Sequence, residues 1–347
     1  MEALEILTKL IVTPSFSGEE DGTAKILEKE LVDNGIYCQR IHNNVWAKNL
    51  NYAPSKPSIL LNSHHDTVKP NKGYTLDPFV PKISEGKLFG LGSNDAGGCL
   101  VALLETFKFF YAEKNLKYNL IFAATAEEEN SGEKGIRSLL PTLPDISFAI
   151  VGEPTNLKLA VAEKGLMVID ACSNGIAGHV AHTNTVNPIE IAMNDIQSLK
   201  ELILDRVSDL LGPVKITCTQ ITAGTAHNVV PSTCNFVIDV RVNECYSNQE
   251  LFEIIDQATE SKLKARSFRL NSSGISLDHP IVTGAENLGI ETYGSPTLSD
   301  QANLTCPSVK IGPGSSLRSH KADEFIYVDE IEEGIKTYTE LLKEILK

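Results

Sequence analysis

The chain has 347 residues, 42% of them hydrophobic and 22% charged, with a formal net charge of −14. That is the composition of a globular protein with material for large cores, of one to three domains by length. The acidic excess and lack of a basic patch argue against a nucleic-acid partner, and no apolar run approaches the roughly 18 residues of a membrane span.

The opening segment, Met1 to Ser15, reads as an amphipathic helix, because Glu2, Glu5 and Lys9 interrupt its apolar pattern. It has no basic region ahead of an apolar one, so it does not resemble a secretion signal, and the expected location is the cytoplasm. Ser17-Gly18-Glu19-Glu20 reads as a capping box opening a helix that ends near Gly35. Ser58 to Ser63, Leu120 to Thr125 and Phe148 to Val151 are short apolar runs that suit buried parallel strands. Ala96 to Glu113 reads as a helix between the first two. Strands alternating with helices predict an α/β layer architecture with a central sheet flanked by helices.

The middle of the chain changes rhythm. Leu166–Ser173 reads as a strand, Pro188–Leu202 as a helix, Val214–Thr222 and Asn235–Val242 as strands, Gln249–Thr259 as a helix and Ala265–Leu270 as a last strand. This β-α-β-β-α-β order is the split, ferredoxin-like signature. Pro280–Leu288 and Asp329–Leu346 then resume helical patterns. The expectation is a catalytic domain of residues 1–165 and 274–347 interrupted by a second domain of residues 166–273. Gly165 and Gly274 would be the hinges between them.

Seven cysteines, Cys38, Cys99, Cys172, Cys218, Cys234, Cys245 and Cys306, include no C-x-x-C pair, so neither a disulfide framework nor a cysteine zinc site is expected. The metal-capable residues lie instead where apolar runs give way to loops, and the carboxyl ends of strands are where α/β sheets build their sites. Ser63-His64-His65-Asp66 follows the first strand. Its imidazoles are good zinc ligands, and a nearby carboxylate can fix a ring tautomer. Gly90-Leu91-Gly92-Ser93-Asn94-Asp95 leads into a helix, where Asp95 could cap the helix or bridge two metals; no phosphate-loop pattern is matched. Thr125-Ala126-Glu127-Glu128-Glu129 puts three carboxylates together, which calls for a cation or solvent. Val151-Gly152-Glu153-Pro154 and Gly312-Pro313-Gly314 through His320 complete the set, with Asp323 and Glu324 beyond. Each segment alone also reads as a polar turn. Together they supply two histidines and at least three carboxylates, the donor set for two zinc ions sharing a carboxylate.

These motifs, in this order and almost end to end, resemble the acetylornithine deacetylase / succinyl-diaminopimelate desuccinylase family of di-zinc amidohydrolases. The resemblance implies a di-zinc aminopeptidase-like catalytic domain and an inserted lid, through which the chain would form a homodimer. It implies two Zn2+ per chain, with Co2+ or Mn2+ able to substitute. His64 and Glu153 would bind one ion and Glu129 and His320 the other, with Asp95 bridging. Asp66 would orient His64, and Glu128 would be the general base. His179, in Gly175-Ile176-Ala177-Gly178-His179, would stabilise the oxyanion across the dimer interface. Asn228 and Arg241 would contact substrate; for Arg241 a salt bridge with Asp239 or Glu244 stays equally open. Ser299, beside Asp300, matches a substrate-side pair.

Three segments depart from the family pattern. Glu127 stands where Asp is frequent, Gly97 where Lys is frequent, and Val180-Ala181 where Ser-Ser is common.

The implied reaction is hydrolysis of an N-acyl amino acid. The segments most resemble the acetylornithine deacetylase branch and point to N-acetyl-L-ornithine or N-succinyl-L-ornithine in arginine biosynthesis. N-acetylcitrulline, succinyl-diaminopimelate or a small peptide are the alternatives, and a non-catalytic binding module is a further one. A succinyl carboxylate wants a cation, and Arg318, two residues before His320, is expected to read the acyl end unless it braces the acidic loop at Asp323-Glu324; Lys164 is the other candidate.

Overall fold

Four strands, Asn119–Thr125, Ser58–His64, Phe148–Gly152 and Ser308–Ile311, lie side by side and parallel at the centre of a mixed sheet. Every residue in them is buried, as expected of strands covered on both faces. The register pairs His64 with Thr125, Asn62 with Val151 and Gly152 with Ile311. The four carboxyl ends are therefore level, and the loops leaving them share one edge of the sheet. The hairpin Cys38–Ile41 and Asn44–Lys48 extends the sheet antiparallel beyond Asn119–Thr125, and Leu159–Glu163 runs antiparallel to Ser308–Ile311 on the other side.

The computed structural model describes residues 2–347. The sheet belongs to a compact unit of Met1–Val161, Gly274–Tyr293 and Ser299–Lys347. Its main core packs the helices Glu2–Ile11, Gly98–Phe110 and Val328–Leu346 against the sheet through Leu7, Leu103, Phe107, Phe122, Tyr338 and Leu341, all buried. The Tyr338 hydroxyl donates to the Ile311 carbonyl at 2.6 Å and so satisfies its own polar end. A three-stranded sheet, Phe325–Tyr327, Lys87–Phe89 and Lys82–Ser84, sets Glu324 beside Gly90.

The other unit comprises Ala162–Ser273 and a short return, Gly294–Leu298. Its antiparallel sheet has the order Lys215–Ala223, Thr233–Val242, Gly165–Asn174, Lys262–Ala265, and its helices are Pro188–Glu201 and Asn248–Gln257. This is the ferredoxin-like β-α-β-β-α-β arrangement. Along Gly165–Asn174 every second residue is buried, and Met167, Ile169, Phe236, Ile238, Leu251 and Ile255 form the core.

Four local expectations are corrected. The last strand of the second unit is Lys262–Ala265, not Ala265–Leu270. Its exposed lysines alternate with half-buried Leu263 and Ala265, a charged edge that resists further pairing and masks the strand in sequence. The helix expected from Ala96 to Glu113 is Gly98–Phe110 and follows a separate wide turn over Ser93–Gly97. The capping box does not form, because the Ser17 hydroxyl donates to Asp66 Oδ2 at 2.7 Å while Glu20 binds the N–H groups of Gly18 and Glu127. Asp95 is not a helix cap either, having an extended backbone at φ −120°, ψ 98°. All seven cysteines are free, and no described helix is long and apolar enough to cross a membrane.

Candidate active site and metal centre

Each level strand end delivers one candidate ligand. His64 is the last residue of its strand, Glu153 follows Gly152, Glu128 and Glu129 lie three and four residues beyond Thr125, and His320 rides the loop that leaves Ile311. Asp95 enters from the Gly-rich turn. His64 Nε2 stands 3.3 Å from Asp95 Oδ1, 3.8 Å from Glu153 Oε1 and 3.9 Å from Glu128 Oε2. His320 Nε2 stands 2.9 Å from Glu129 Oε2 and 3.6 Å from Asp95 Oδ2. The two oxygens of Asp95 therefore face two different imidazoles.

These residues fit a pair of metal ions. His64 Nε2 is buried and makes no hydrogen bond, although three carboxylates surround it. A buried ring nitrogen without a partner calls for an electrophile. The ligand atoms of His64, Asp95 and Glu129 lie within 4.8 Å of one another, as do those of His64, Glu128 and Glu153. Histidine with carboxylates, and no cysteine, suits zinc, cobalt or manganese.

The electrostatics show the same need for positive charge. Burial pushes the Glu153 pKa to about 8, aided by Asp95 and offset in part by His64 and Lys310. Burial also drives Glu128 well above the usual carboxylate range. On His64 burial opposes the charged form, but Asp66, Asp95, Glu128 and Glu153 outweigh it and raise the pKa. The hydrogen bond with Glu129 leads in raising His320 to about 9.

Asp66 is placed differently from the expectation. His64 Nδ1 meets the Asp66 backbone carbonyl at 3.0 Å, while the nearest carboxylate oxygen is 3.5 Å away. The carboxylate instead accepts the N–H of Glu128 at 3.0 Å, the N–H of Glu129 at 3.1 Å and the Ser17 hydroxyl. Asp66 thus orients His64 through its main chain and the Glu128–Glu129 turn through its side chain. His65 is a bystander, held between the Thr23 hydroxyl and the Asn43 carbonyl.

Three residues assigned to substrate have partners within the chain. Arg318 donates to both oxygens of Glu330, at 2.9 and 2.6 Å, and lies over the rings of Phe325 and Tyr327, so its charge is committed to the start of the last helix. Nor does it pair with Asp323 or Glu324: the Asp323 carboxylate takes the N–H groups of Thr75 and Leu76. Ser299 is buried, and its hydroxyl oxygen accepts the Gln301 N–H as the cap of a short turn, which directs Asp300 inward. Arg241 takes its salt-bridge alternative, binding Asp239 through Nε at 2.9 Å and through a terminal nitrogen at 3.2 Å. In the second unit His179 is exposed and pairs with Val229, its ring 5.7 Å from that of His182, and the Asn228 carbonyl accepts the Val180 N–H. Lys164 donates to the Pro213 carbonyl at 2.6 Å.

Several contacts that hold the site carry no sequence signal. The Thr125 hydroxyl donates to the buried Asp300 carboxylate at 2.7 Å. The Asn94 amide donates to the Ser315 carbonyl while its oxygen accepts the Ser315 N–H. Glu324, 3% exposed, accepts three backbone N–H groups of the Asp95 turn. Gly92 needs to be glycine there: φ is +74°, and a Cβ would stand 2.5 Å from Thr67 Cγ2. His320 and Glu127 adopt left-handed backbone, φ 60° and 54°, which costs non-glycine residues on the order of 1–3 kcal/mol and persists only where surrounding contacts impose it.

The fold and this donor set are those of a metal-dependent amidohydrolase built for two metal ions. The chain belongs to peptidase family M20/M25/M40, whose sequence profile matches residues 60–344. It is 27% identical to the succinyl-diaminopimelate desuccinylase of Buchnera aphidicola subsp. Cinara cedri, over 99% of this chain and 98% of that one. It is 26% identical to succinyl-diaminopimelate desuccinylase 2 of Ruegeria sp., over 99% and 95%. In three dimensions it matches a tripeptidase from Staphylococcus aureus with a TM-score of 0.80 at 20% identity, covering 99% of this chain and 97% of the other. It matches the Bacillus subtilis YXEP protein, described as a dinuclear metal-binding peptidase of family M20, with a TM-score of 0.77 at 18% identity, covering 99% and 98%. These relatives support the wider family and not its acetylornithine deacetylase branch in particular.

Proposed function

We propose that the protein hydrolyses the amide bond of an N-acyl amino acid in amino-acid biosynthesis, with N-succinyl-diaminopimelate as the first substrate to test. The observation that carries the hydrolytic reading is Asp95 set between His64 and His320, with Glu128 buried beside them. The choice of substrate leans on the two desuccinylases above, each similar over nearly its whole length. N-acetyl-L-ornithine, favoured by the motif segments, is the competitor, with N-succinyl-L-ornithine and N-acetyl-L-citrulline beside it.

His64 and Glu153 would hold one zinc ion, Glu129 and His320 the other, and Asp95 would contact both. Such a pair makes a water acidic at neutral pH and polarises the scissile carbonyl. Glu128 takes a proton from the attacking water and passes it to the leaving amine, so the amide C–N bond breaks to a carboxylate and a free amine. Burial of Glu128 favours the protonated form it must adopt in mid-reaction. Asp66 holds Glu128 and Glu129 by their backbones. His179 is proposed to stabilise the oxyanion of the tetrahedral intermediate and Asn228 to contact substrate.

The test is kcat/KM on zinc-loaded protein with the four substrates and a glycine-containing dipeptide, with Glu128→Ala as the blank. The reading expects one acyl amino acid to dominate and the blank to lose on the order of 10²–10⁴ in kcat while keeping both ions. A dominant dipeptide would overturn the substrate class, and an active blank would remove Glu128 as the base.

A further inference from the structure

Glu324 is a carboxylate that the reaction does not use. It is 3% exposed, and it spends both oxygens on backbone: Oε1 accepts the N–H groups of Asn94 and Asp95 at 2.9 Å each, and Oε2 accepts that of Gly92 at 3.0 Å. Its own carbonyl accepts the Gly90 N–H at 3.0 Å. One residue thus holds both ends of the turn that presents Asp95. The same loop carries His320 four residues earlier, and there the Asn94 side chain exchanges two hydrogen bonds with Ser315. The turn and the loop are more than two hundred residues apart in sequence, yet side chains of each hold the backbone of the other.

A carboxylate removed from water is costly unless several donors compensate it, and apolar residues close turns more cheaply. Three fixed backbone donors converging on one buried side chain leave it little freedom, which suits a residue that must fix another's position to a fraction of an ångström.

We propose that Glu324 is a positioning residue for the dinuclear centre, locking the Gly92–Asp95 turn so that Asp95 and His320 converge on the same ion. The proposal rests on the reading of Asp95 and His320 as ligands. It predicts that Glu324 acts on metal binding, and first on the ion held by Asp95, Glu129 and His320. The ion held by His64 and Glu153 keeps two ligands outside Glu324's reach.

The experiment is a titration of stripped protein with Zn2+ or Co2+, read by bound metal per chain and by the Co2+ absorption spectrum, with no substrate present. Wild type should take up two ions. Glu324→Ala should bind the first ion within about threefold of wild type and the second about 10–100-fold more weakly, the usual effect of losing a residue that orients a ligand. Its kcat should recover at saturating metal with KM unchanged, which a variant that merely unfolds more easily would not do. Should Glu324→Ala fail to fold, Glu324→Gln decides: the carboxamide oxygen can still serve Asn94 and Asp95 but not Gly92, so a smaller loss of the same second ion is expected. Two ions bound with wild-type affinity by the variant would overturn the proposal for Glu324 alone. A wild type that takes up fewer than two ions would overturn the two-metal reading itself.

Discussion

The carboxylate of Asp66 accepts the backbone N–H of Glu128 at 3.0 Å. The side chain that comes two residues after His64 in sequence therefore holds the residue proposed as the base, and the next N–H, of Glu129, as well. Asp66→Ala leaves these two part-buried donors and the Ser17 hydroxyl without their acceptor, a loss of about 1 kcal/mol or more for each that finds no new partner. The expected outcome is a lower Tm and a kcat reduced about 10–100-fold, with KM changed far less, because the turn is misplaced and not removed. Ser17→Ala deletes a donor and keeps the acceptor, so its effect should be several-fold smaller. Steady-state kinetics with thermal melts check both. Equal losses in the two variants would contradict the role given to the Glu128–Glu129 contacts.

Stripping the metal should expose the electrostatic cost of the site. Glu153 titrates at about 8 against an ordinary 4.5, and His320 at about 9 against 6.5. Both pKa values are raised by folding, so the folded chain holds the extra protons. Their contribution to stability is full below the unfolded value and is lost as pH rises through the folded one. Between pH 5 and 9 the stripped protein should therefore lose stability steadily. Metal affinity strengthens over the same window, because ligands must be deprotonated to bind. The Tm difference between zinc-loaded and chelated protein is expected to widen from pH 5 to pH 8. Thermal melts across that range with and without chelator measure it, and a constant gap would argue against Glu153 and His320 as ligands.

What the sequence disclosed, and what it hid, follows from how each residue acts. His64, Glu128, Glu129 and Glu153 each follow an apolar run, so a strand and its end are visible locally. Asp95 and His320 stand in Gly-rich segments that also show locally. The residues that hold the site do not. Glu324 reaches Asp95, and Asn94 reaches Ser315, across more than two hundred residues, and both spend their side chains on main-chain groups that carry no residue-type signal. Ser17 fits a capping box by its local pattern, while the acceptor its hydroxyl takes, Asp66, lies 49 residues away. The β-α-β-β-α-β unit showed in alternating strands such as Gly165–Asn174, whereas the charged edge Lys262–Ala265 looked like a loop.

Arg318 illustrates the same limit from the other side, since its place beside His320 suggests a substrate contact while its side chain pairs with Glu330. Arg318→Ala strands a partly buried carboxylate and uncovers two aromatic rings. A destabilisation of about 1–3 kcal/mol is expected. The ratio of kcat/KM for succinyl and acetyl substrates should stay within about twofold of wild type. A large change in that ratio with an unchanged Tm would restore the substrate contact.

The sheet of the second unit has two edge strands, the charged Lys262–Ala265 and, opposite it, Lys215–Ala223. Among the described residues Lys215–Ala223 pairs only with Thr233–Val242, and most of its residues are exposed, Ile221 at 52%. On the covering side Met193 is 61% exposed, and Ile203, just past the helix Pro188–Glu201, is 89% exposed. An unpaired edge that exposes an apolar side chain is a template for another chain unless something covers it. The proposed homodimer would cover it with the same edge of a second copy, as a two-fold interface requires. Light scattering should then give twice the mass of the 347-residue chain, and Ile221→Lys should shift it towards the monomer. If His179 acts from one subunit on the other, that variant should also lose kcat in proportion to the dimer lost, recovering as protein concentration rises. A monomeric wild type of full activity would remove both the dimer and the role of His179 across it.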